Sequence, residues 1–108
     1  MLEKLAPDVL ETLLDTLPVE VSFIDERDEV RYFNKNGDRV FPRPRSVIGR
    51  KVQQCHPQKS LHKATQILDA FKRGERGVAE FWINLKGRQI HIRYFPVRDQ
   101  GGVYRGTL

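Results

Sequence analysis

Residues 21–34 read VSFIDERDEVRYFN, and this stretch decides the fold of the chain. Two short runs that alternate apolar and polar side chains flank the charged residues 26–29, which is the pattern of a β-hairpin. We predict strands at residues 19–25 and 29–34. The sequence Asn34-Lys35-Asn36-Gly37 is expected to end the second strand, because Asn and Gly favour turns.

A helix is predicted before the hairpin, from Pro7 to Leu17. Pro7 suits the first helical position, and Pro18 stops the helix. Four leucines recur at the spacing of one helical face, namely Leu10, Leu13, Leu14 and Leu17. We expect this apolar stripe either to cap the sheet or to pair with the helix of a partner.

A longer helix is predicted after the hairpin, from about Pro57 to Arg73, and Gly74 closes it. Residues 37–47 read as short turns or single helical turns, because the prolines there cannot lie inside a helix. The residues expected on the buried face of the long helix are Leu61, Ala64, Thr65, Leu68 and Phe71, with Ile67 at the edge.

The remaining chain is predicted to form three strands, at residues 77–85, 89–97 and 103–108. Turns at 86–88 and 99–102 separate them, with Gly87 supplying positive φ in the first. Strands at both ends around central helices indicate an α+β fold with one antiparallel sheet. We divide the chain into a connector helix, 1–17, and a domain, 18–108. The last strand stops abruptly, so we expect a fragment of a longer protein.

Residues 18–108 resemble a PAS domain in a set of short motifs in a fixed order. The motifs are the hairpin, Ile48-Gly49-Arg50, His56-Pro57, and residues 94–99 (YFPVRD) followed by residues 102–106 (GVYRG). The resemblance implies a five-stranded antiparallel sheet with helices on one face. It also implies a sensory or interaction role, since PAS domains usually bind a ligand or partner and most are not enzymes.

Three further segments resemble one PAS subgroup more narrowly. They are residues 54–60 (QCHPQKS), 80–83 (EFWI) and 91–95 (HIRYF). That subgroup lies at the C-terminal end of bacterial and archaeal proteins that carry a hemerythrin-like helical domain. The resemblance implies that other domains of a full-length protein are partners, with the first helix as a possible connector.

Length and composition point to a single cytoplasmic domain. The chain has 108 residues, and its sequence contains no apolar run long enough for a membrane span. The N-terminus lacks the apolar core of a signal peptide. Cys55 is the sole cysteine, which excludes an internal disulfide and fits a reducing compartment.

Charge is distributed unevenly along the chain. Residues 1–29 hold nine acidic and two basic side chains, whereas residues 30–108 hold five acidic and seventeen basic ones. Residues 39–68 contain seven Lys or Arg and no Asp or Glu. This basic segment is interpreted first as a solvated face that pairs with the acidic N-terminus of its own or a neighbouring subunit. The second interpretation is a site for a small anionic ligand or an acidic partner. Nucleic acid is disfavoured, since aromatic residues are not interleaved with the basic ones.

Cys55 and His56 are candidate ligand-sensing residues because a thiol and an imidazole stand side by side. A metal site is not predicted, since further ligands at suitable spacing are missing. The interpretation favoured over redox or ligand sensing is structural, with His56 capping the backbone N–H groups of the following helix. His62 lies about 100° from Leu61 on the helix and is expected to face solvent, so haem ligation through it is disfavoured. A flavin-binding motif is also missing, and we expect no bound cofactor.

His91 and Arg93 are further candidate ligand-binding residues, with two possible registers for their strand. In one register Ile90, Ile92 and Tyr94 face the helices, and His91 and Arg93 lie on the open sheet face. In the other register His91 and Arg93 point into the cavity. A buried Arg93 would then require an anion, either Glu80 or a bound carboxylate.

Trp82 is opposite in phase to its neighbours Phe81 and Ile83. On the open face, beside Ile90 and Ile92, it would form an exposed apolar patch of the kind that marks a contact surface. We therefore expect Trp82, Ile90 and Ile92, together with the four leucines of the first helix, to form an interface, with a homodimer as the expected assembly.

The sequence thus predicts a PAS-type sensory or interaction module that binds a small ligand or a partner and relays the event through the terminal helix and sheet. The alternative is a structural dimerisation domain whose cavity is filled by its own side chains. An enzyme is not predicted and no catalytic residue is assigned, because the sequence lacks a phosphate-binding glycine loop, a nucleophile elbow and paired carboxylates.

Overall fold

The computed structural model describes residues 1–35 and 37–108. Asn36, part of the predicted end of the second strand, lies outside the described residues. Two α-helices, six strands and three short 3₁₀ turns are described. In chain order these are Leu2–Lys4 (3₁₀), α1 Pro7–Thr16, β1 Ser22–Asp25, β2 Val30–Phe33, Arg45–Val47 (3₁₀), Val52–Gln54 (3₁₀), α2 Gln58–Lys72, β3 Ala79–Leu85, β4 Arg88–Tyr94, β5 Pro96–Arg98 and β6 Tyr104–Thr107.

The strands form one antiparallel layer in two hydrogen-bonded groups. Strands β2, β1, β6 and β5 pair in that order, and β3 pairs with β4. Phe95 alone separates β4 from β5, and it exchanges two backbone hydrogen bonds with Leu108, of 2.8 and 2.9 Å. Counting β4 and β5 as one bent strand gives five strands in the order β2-β1-β6-β5/β4-β3. The predicted α+β fold with a five-stranded sheet is confirmed.

Both hairpins have the local chemistry that a tight turn requires. In the first, the Asp25 carboxylate accepts the backbone N–H groups of Arg27 and Glu29, at 2.9 and 3.1 Å. In the second, Leu85 pairs with Arg88, so the loop has two residues, Lys86 and Gly87. Both loop residues have positive φ, +52° and +78°, which is the type I′ turn that matches strand twist.

Helix α2 packs on one face of the sheet and supplies half of the buried apolar side chains among the described residues. Ile67, Phe71 and Ala79 form a buried cluster against which Phe81, Tyr94 and Tyr104 pack. A second cluster, Val30, Phe33 and Val47, lies under the short helical turns. Ile67 is fully buried and not at the edge of the apolar face as predicted, while Leu61 and Thr65 are only partly buried.

The β3–β4 hairpin has two distinct faces. We call the face that carries Phe81 and Tyr94 the inner face, because it packs against α2. Side chains alternate along a strand, so Trp82 and its cross-strand partner His91 lie on the opposite, outer face. Among the described helices, neither α1 nor α2 is long and apolar enough to cross a lipid bilayer.

Candidate ligand groove and outer sheet face

A groove of about 460 Å³ opens between the segment 39–42 and the tip of the β3–β4 hairpin. It lies on the inner side of the sheet, since Leu85 and Ile90 share their face with Phe81. An adjoining hollow of about 270 Å³ shares Arg39 and Pro42 with it and adds Gly37, Arg43 and Pro44. The groove is lined by Arg39, Val40, Phe41, Pro42, Leu85, Lys86, Arg88 and Ile90. Its walls are apolar and its rim is cationic.

Arg39 is the most constrained residue of this groove, with a side chain only 5% exposed. Its guanidinium donates to the carbonyl oxygens of Val21, at 3.2 Å, and Asn34, at 2.9 Å, and lies 3.6 Å from the Glu20 carboxylate. Burial lowers the pKa of Arg39, and the Glu20 charge opposes that effect. Because Glu20 also accepts the N–H groups of Val40 and Phe41, it fixes the groove wall to the start of β1.

Asn34 connects this wall to helix α1. Its side chain, in a residue only 1% exposed, donates to the carbonyls of Leu14 and Val19, at 2.9 and 3.0 Å, and accepts the Val21 N–H at 2.8 Å. Helix α1 itself has no buried residue. Its attachment therefore depends on polar contacts at its C-terminal end, and Asn34 makes the most enclosed of them.

Cys55 and His56 lie away from the groove and bond to backbone carbonyls. The Cys55 thiol donates to the Lys51 carbonyl at 3.5 Å and packs against the cluster of Val30, Phe33 and Val47. His56 Nδ1 lies 3.2 Å from the Val52 carbonyl. The predicted cap on α2 is wrong, because the ring contacts a carbonyl of the preceding turn. Ligand sensing by this pair stays a prediction.

His62 is exposed on α2, as its helical phase predicted. Among the described residues, no group of three or more His, Cys, Asp or Glu side chains converges in a way that could hold a metal ion.

His91 and Arg93 lie on the outer face, so their strand adopts the first of the two predicted registers. The His91 ring stacks on Trp82, with centroids 4.0 Å apart, and its Nε2 lies 2.6 Å from the Glu80 carboxylate. Arg93 lies over the Phe95 ring at 5.7 Å. Neither residue points into the cavity, and their role in ligand binding stays a prediction.

The predicted grouping of Trp82 with Ile90 and Ile92 is wrong. Cross-strand pairing places Ile90 opposite Ile83 and Ile92 opposite Phe81, on the inner face, and Ile90 lines the groove. Trp82 is 58% exposed on the other side of the sheet. Phe95 and Leu108, both exposed, lie further along the same face, beyond Arg93. Of the four leucines of α1, Leu13 is exposed and Leu10, Leu14 and Leu17 are half-buried.

The residues that line the groove were not predicted from the sequence as a site. Arg39 and Arg43 belong to the basic segment 39–68, but that segment was interpreted as a whole and neither arginine was assigned a role. The sequence feature that could have indicated the groove is the pair of prolines on either side of Arg43, because a residue that precedes a proline favours extended backbone. Lys86 and Arg88 gave no such signal, because charged residues are common at hairpin tips.

The domain has an α+β architecture: helix α2 packs on one face of an antiparallel sheet, and a groove lies between the sheet and the segment 39–42. Sensor-type domains have this architecture. Residues 10–108 match the PAS domain family, and the chain belongs to that family. The coarse functional prediction, a PAS-type module of the signalling class, follows from this membership.

Two crystal structures share the fold. A C-terminal domain from Streptococcus mutans is 30% identical, with a TM-score of 0.85, and the match covers 95% of this chain and 81% of that one. A sensory box sensor histidine kinase from Vibrio cholerae is 14% identical, with a TM-score of 0.63 and coverage of 92% and 83%, which shows a common fold. No curated protein matches the chain.

Proposed function

We propose that this PAS domain is a sensory module in which a small molecule occupies the groove between residues 39–42 and the β3–β4 hairpin, and in which helix α1 transmits its presence. The observation that carries the proposal is that one wall of the groove is bonded directly to the attachment point of α1. A groove of about 460 Å³ is within the ordinary size range of small-molecule sites.

The connection runs through two side chains. Arg39 lines the groove and donates to the carbonyl of Asn34, while its Nη1 also lies 3.4 Å from the Asn34 side-chain oxygen. The Asn34 amide in turn holds the last turn of α1 through the Leu14 carbonyl. A ligand that prefers one position of Arg39 therefore changes the equilibrium between docked and released α1, as coupling between sites requires.

The test compares the protein as purified with the same protein after unfolding and refolding, which removes any co-purified molecule. Native mass spectrometry is expected to detect a non-covalent mass increment in the first sample alone. Amide hydrogen exchange in α1 is expected to differ severalfold between the two samples, while exchange in the distant turn 99–102 is unchanged. Identical masses together with identical exchange would contradict the proposal.

A second function, self-association through the outer face, is favoured by the exposure of Trp82, with Phe95 and Leu108 exposed further along that face. The occupant we propose is a second copy of this chain. Helix α1 exposes Leu13 among the acidic residues Asp8, Glu11 and Asp15, whereas the outer face presents apolar side chains near Arg93. The two surfaces are therefore complementary in both hydrophobicity and charge.

Replacing Trp82 with serine is expected to raise the dissociation constant of the dimer by about tenfold or more, since a central tryptophan is a typical interface hot spot. Sedimentation equilibrium measures this change. Val103→Ser is the matched control, because Val103 is similarly exposed but lies in a turn. A wild-type protein that is monomeric at all concentrations, or equal effects of the two substitutions, would rule out this interface.

The narrower features implied by the resemblance are proposals too. We propose that the domain is non-catalytic, that it belongs to the subgroup linked to hemerythrin-like helical domains, and that it works in the cytoplasm. The resemblance of residues 54–60, 80–83 and 91–95 supports the subgroup. The single cysteine supports a reducing compartment.

A further inference from the structure

Arg43 is a half-buried cation whose enclosed nitrogen has no partner. Its Nε is shielded from solvent and makes no hydrogen bond with any of the described residues. The side chain lines the hollow that adjoins the groove. Leaving a buried charged donor unsatisfied is costly, so this position is better explained by a missing anionic partner than by packing.

The surroundings of Arg43 supply no internal anion. The described residues that line the groove and the hollow include four cations and neither Asp nor Glu, the cations being Arg39, Arg43, Lys86 and Arg88. Glu20 is already paired with Arg39. The charge of Arg43 also lowers the pKa of Arg39 and opposes the burial that raises the pKa of Tyr94, so Arg43 is near both residues.

We propose that the groove binds an organic acid, with its carboxylate on Arg43 and its apolar body along Phe41, Leu85 and Ile90. This inference rests on the proposed function and adds the chemical class of the ligand. A guanidinium presents donors in a planar fork that matches a carboxylate, and the hydrogen bonds are charge-assisted. Lys86 and Arg88, exposed at the rim, attract the anion without enclosing it.

The apolar walls determine what the rest of the ligand must be. Val40, Phe41, Leu85 and Ile90 offer aliphatic and aromatic surface and no hydrogen-bonding side chain. A body that carried several hydroxyl groups would lose its hydration there without replacement. With Arg39 neutralised by Glu20, one enclosed positive charge is left for the ligand, which favours a single carboxylate.

Octanoate and octan-1-ol are the matched probes, because they share an alkyl chain and differ in the charged head. Titration of the ¹⁵N-labelled protein is followed by NMR, which also locates the binding. Octanoate is expected to shift the amide signals of residues 39–43 and 85–90 and to bind at least about tenfold more tightly than octanol. Arg43→Gln is expected to remove that advantage while leaving the affinity for octanol unchanged.

Arg105→Gln is the control, since Arg105 is an exposed arginine of β6 that lines neither the groove nor the hollow. It is expected to leave both affinities unchanged. If Arg43→Gln fails to fold, Arg88→Gln replaces it, because Arg88 is exposed at the hairpin tip and lines the same groove. A severalfold loss of octanoate affinity alone is then expected.

The outcomes separate this inference from the proposed function. Equal binding of octanoate and octanol in the groove would overturn the anionic class and leave a ligand-binding module. Equal losses in Arg43→Gln and Arg105→Gln would also overturn it, since the effect would then be general electrostatics. A titration in which neither probe shifts a groove signal would overturn the organic-acid class, whereas identical masses and identical α1 exchange in the purified and refolded protein would contradict the proposed function.

Discussion

Replacing Gly106 with alanine is expected to leave the domain largely unfolded. Gly106 lies in the centre of β6, paired with Asp25 of β1 on one side and with Val97 of β5 on the other. It has a φ of +149°, and a Cβ built on it would lie 2.1 Å from the Ile24 carbonyl oxygen and 2.7 Å from the Phe23 ring. The oxygen belongs to the neighbouring strand, so it cannot move without separating β1 from β6.

We expect Gly106→Ala to lower the free energy of unfolding by about 4 kcal/mol or more, which is a large part of the stability of a domain of this size. Urea unfolding followed by far-ultraviolet circular dichroism measures it. Gly87→Ala is the matched control, because Gly87 also has positive φ, +78°, but nothing within 4 Å of its added Cβ. That substitution should lower the unfolding free energy by only about 1 kcal/mol, the cost of placing a non-glycine residue at positive φ. Similar losses for the two variants would show that the close approach at Gly106 is unimportant.

The sequence was sufficient to predict the elements, because each is encoded by local chemistry. The first hairpin follows from alternating residues around a charged turn whose Asp25 bonds to the backbone it bends. Helix α2 was predicted to within one residue at each end from its apolar periodicity and Gly74. The family followed from short motifs in order, and the match over residues 10–108 confirms it.

The arrangement of side chains on the second hairpin was harder to predict, because it depends on loop length. A turn of three residues, 86–88, leaves the pairing of β3 with β4 undetermined. The actual loop has two residues, so Leu85 pairs with Arg88 and, counting back, Trp82 with His91. A shift of one residue moves every side chain to the other face. This is why Ile90 was expected beside Trp82 and instead lines the groove.

The groove was not predictable because its residues come together only in the tertiary structure. Arg39 is one of seven basic residues in a segment without acids, and its sequence environment gives no sign that it is buried. Its burial depends on Glu20, which precedes β1, and on carbonyls at the ends of β1 and β2. Charge counting does predict that the basic segment meets the acidic N-terminal region, and the Arg39–Glu20 pair is one instance.

Replacing Asn34 with alanine is expected to release helix α1 and to lower the stability of the whole domain. The substitution leaves the Leu14 and Val19 carbonyls and the Val21 N–H without the partners they have in the folded protein. Each buried group left unsatisfied costs about 1–3 kcal/mol. Because water can reach part of this region once α1 moves, we expect a total loss of about 3 kcal/mol.

The measurement must separate local release from global unfolding. Hydrogen exchange detected by NMR does so, since α1 and α2 are followed independently in one sample. In Asn34→Ala the amides of α1 should lose nearly all of their protection against hydrogen exchange. The protection of the α2 amides should fall only by the amount that corresponds to the loss of global stability. Asn84→Ala is the control, because it removes the same side chain from an exposed position on β3.

The same variant decides whether the polar attachment of α1 is also the route from the groove. Helix α1 buries no residue of its own, so the apolar contribution to its docking is small. Among the described residues, Asn34 is bonded both to Arg39 and to the last turn of the helix. If α1 in Asn34→Ala keeps the exchange rates of the wild type, the helix is held by its leucines and Arg39 cannot influence it. If protection is lost and the ligand-dependent difference in α1 disappears with it, the groove and the helix communicate through this one side chain.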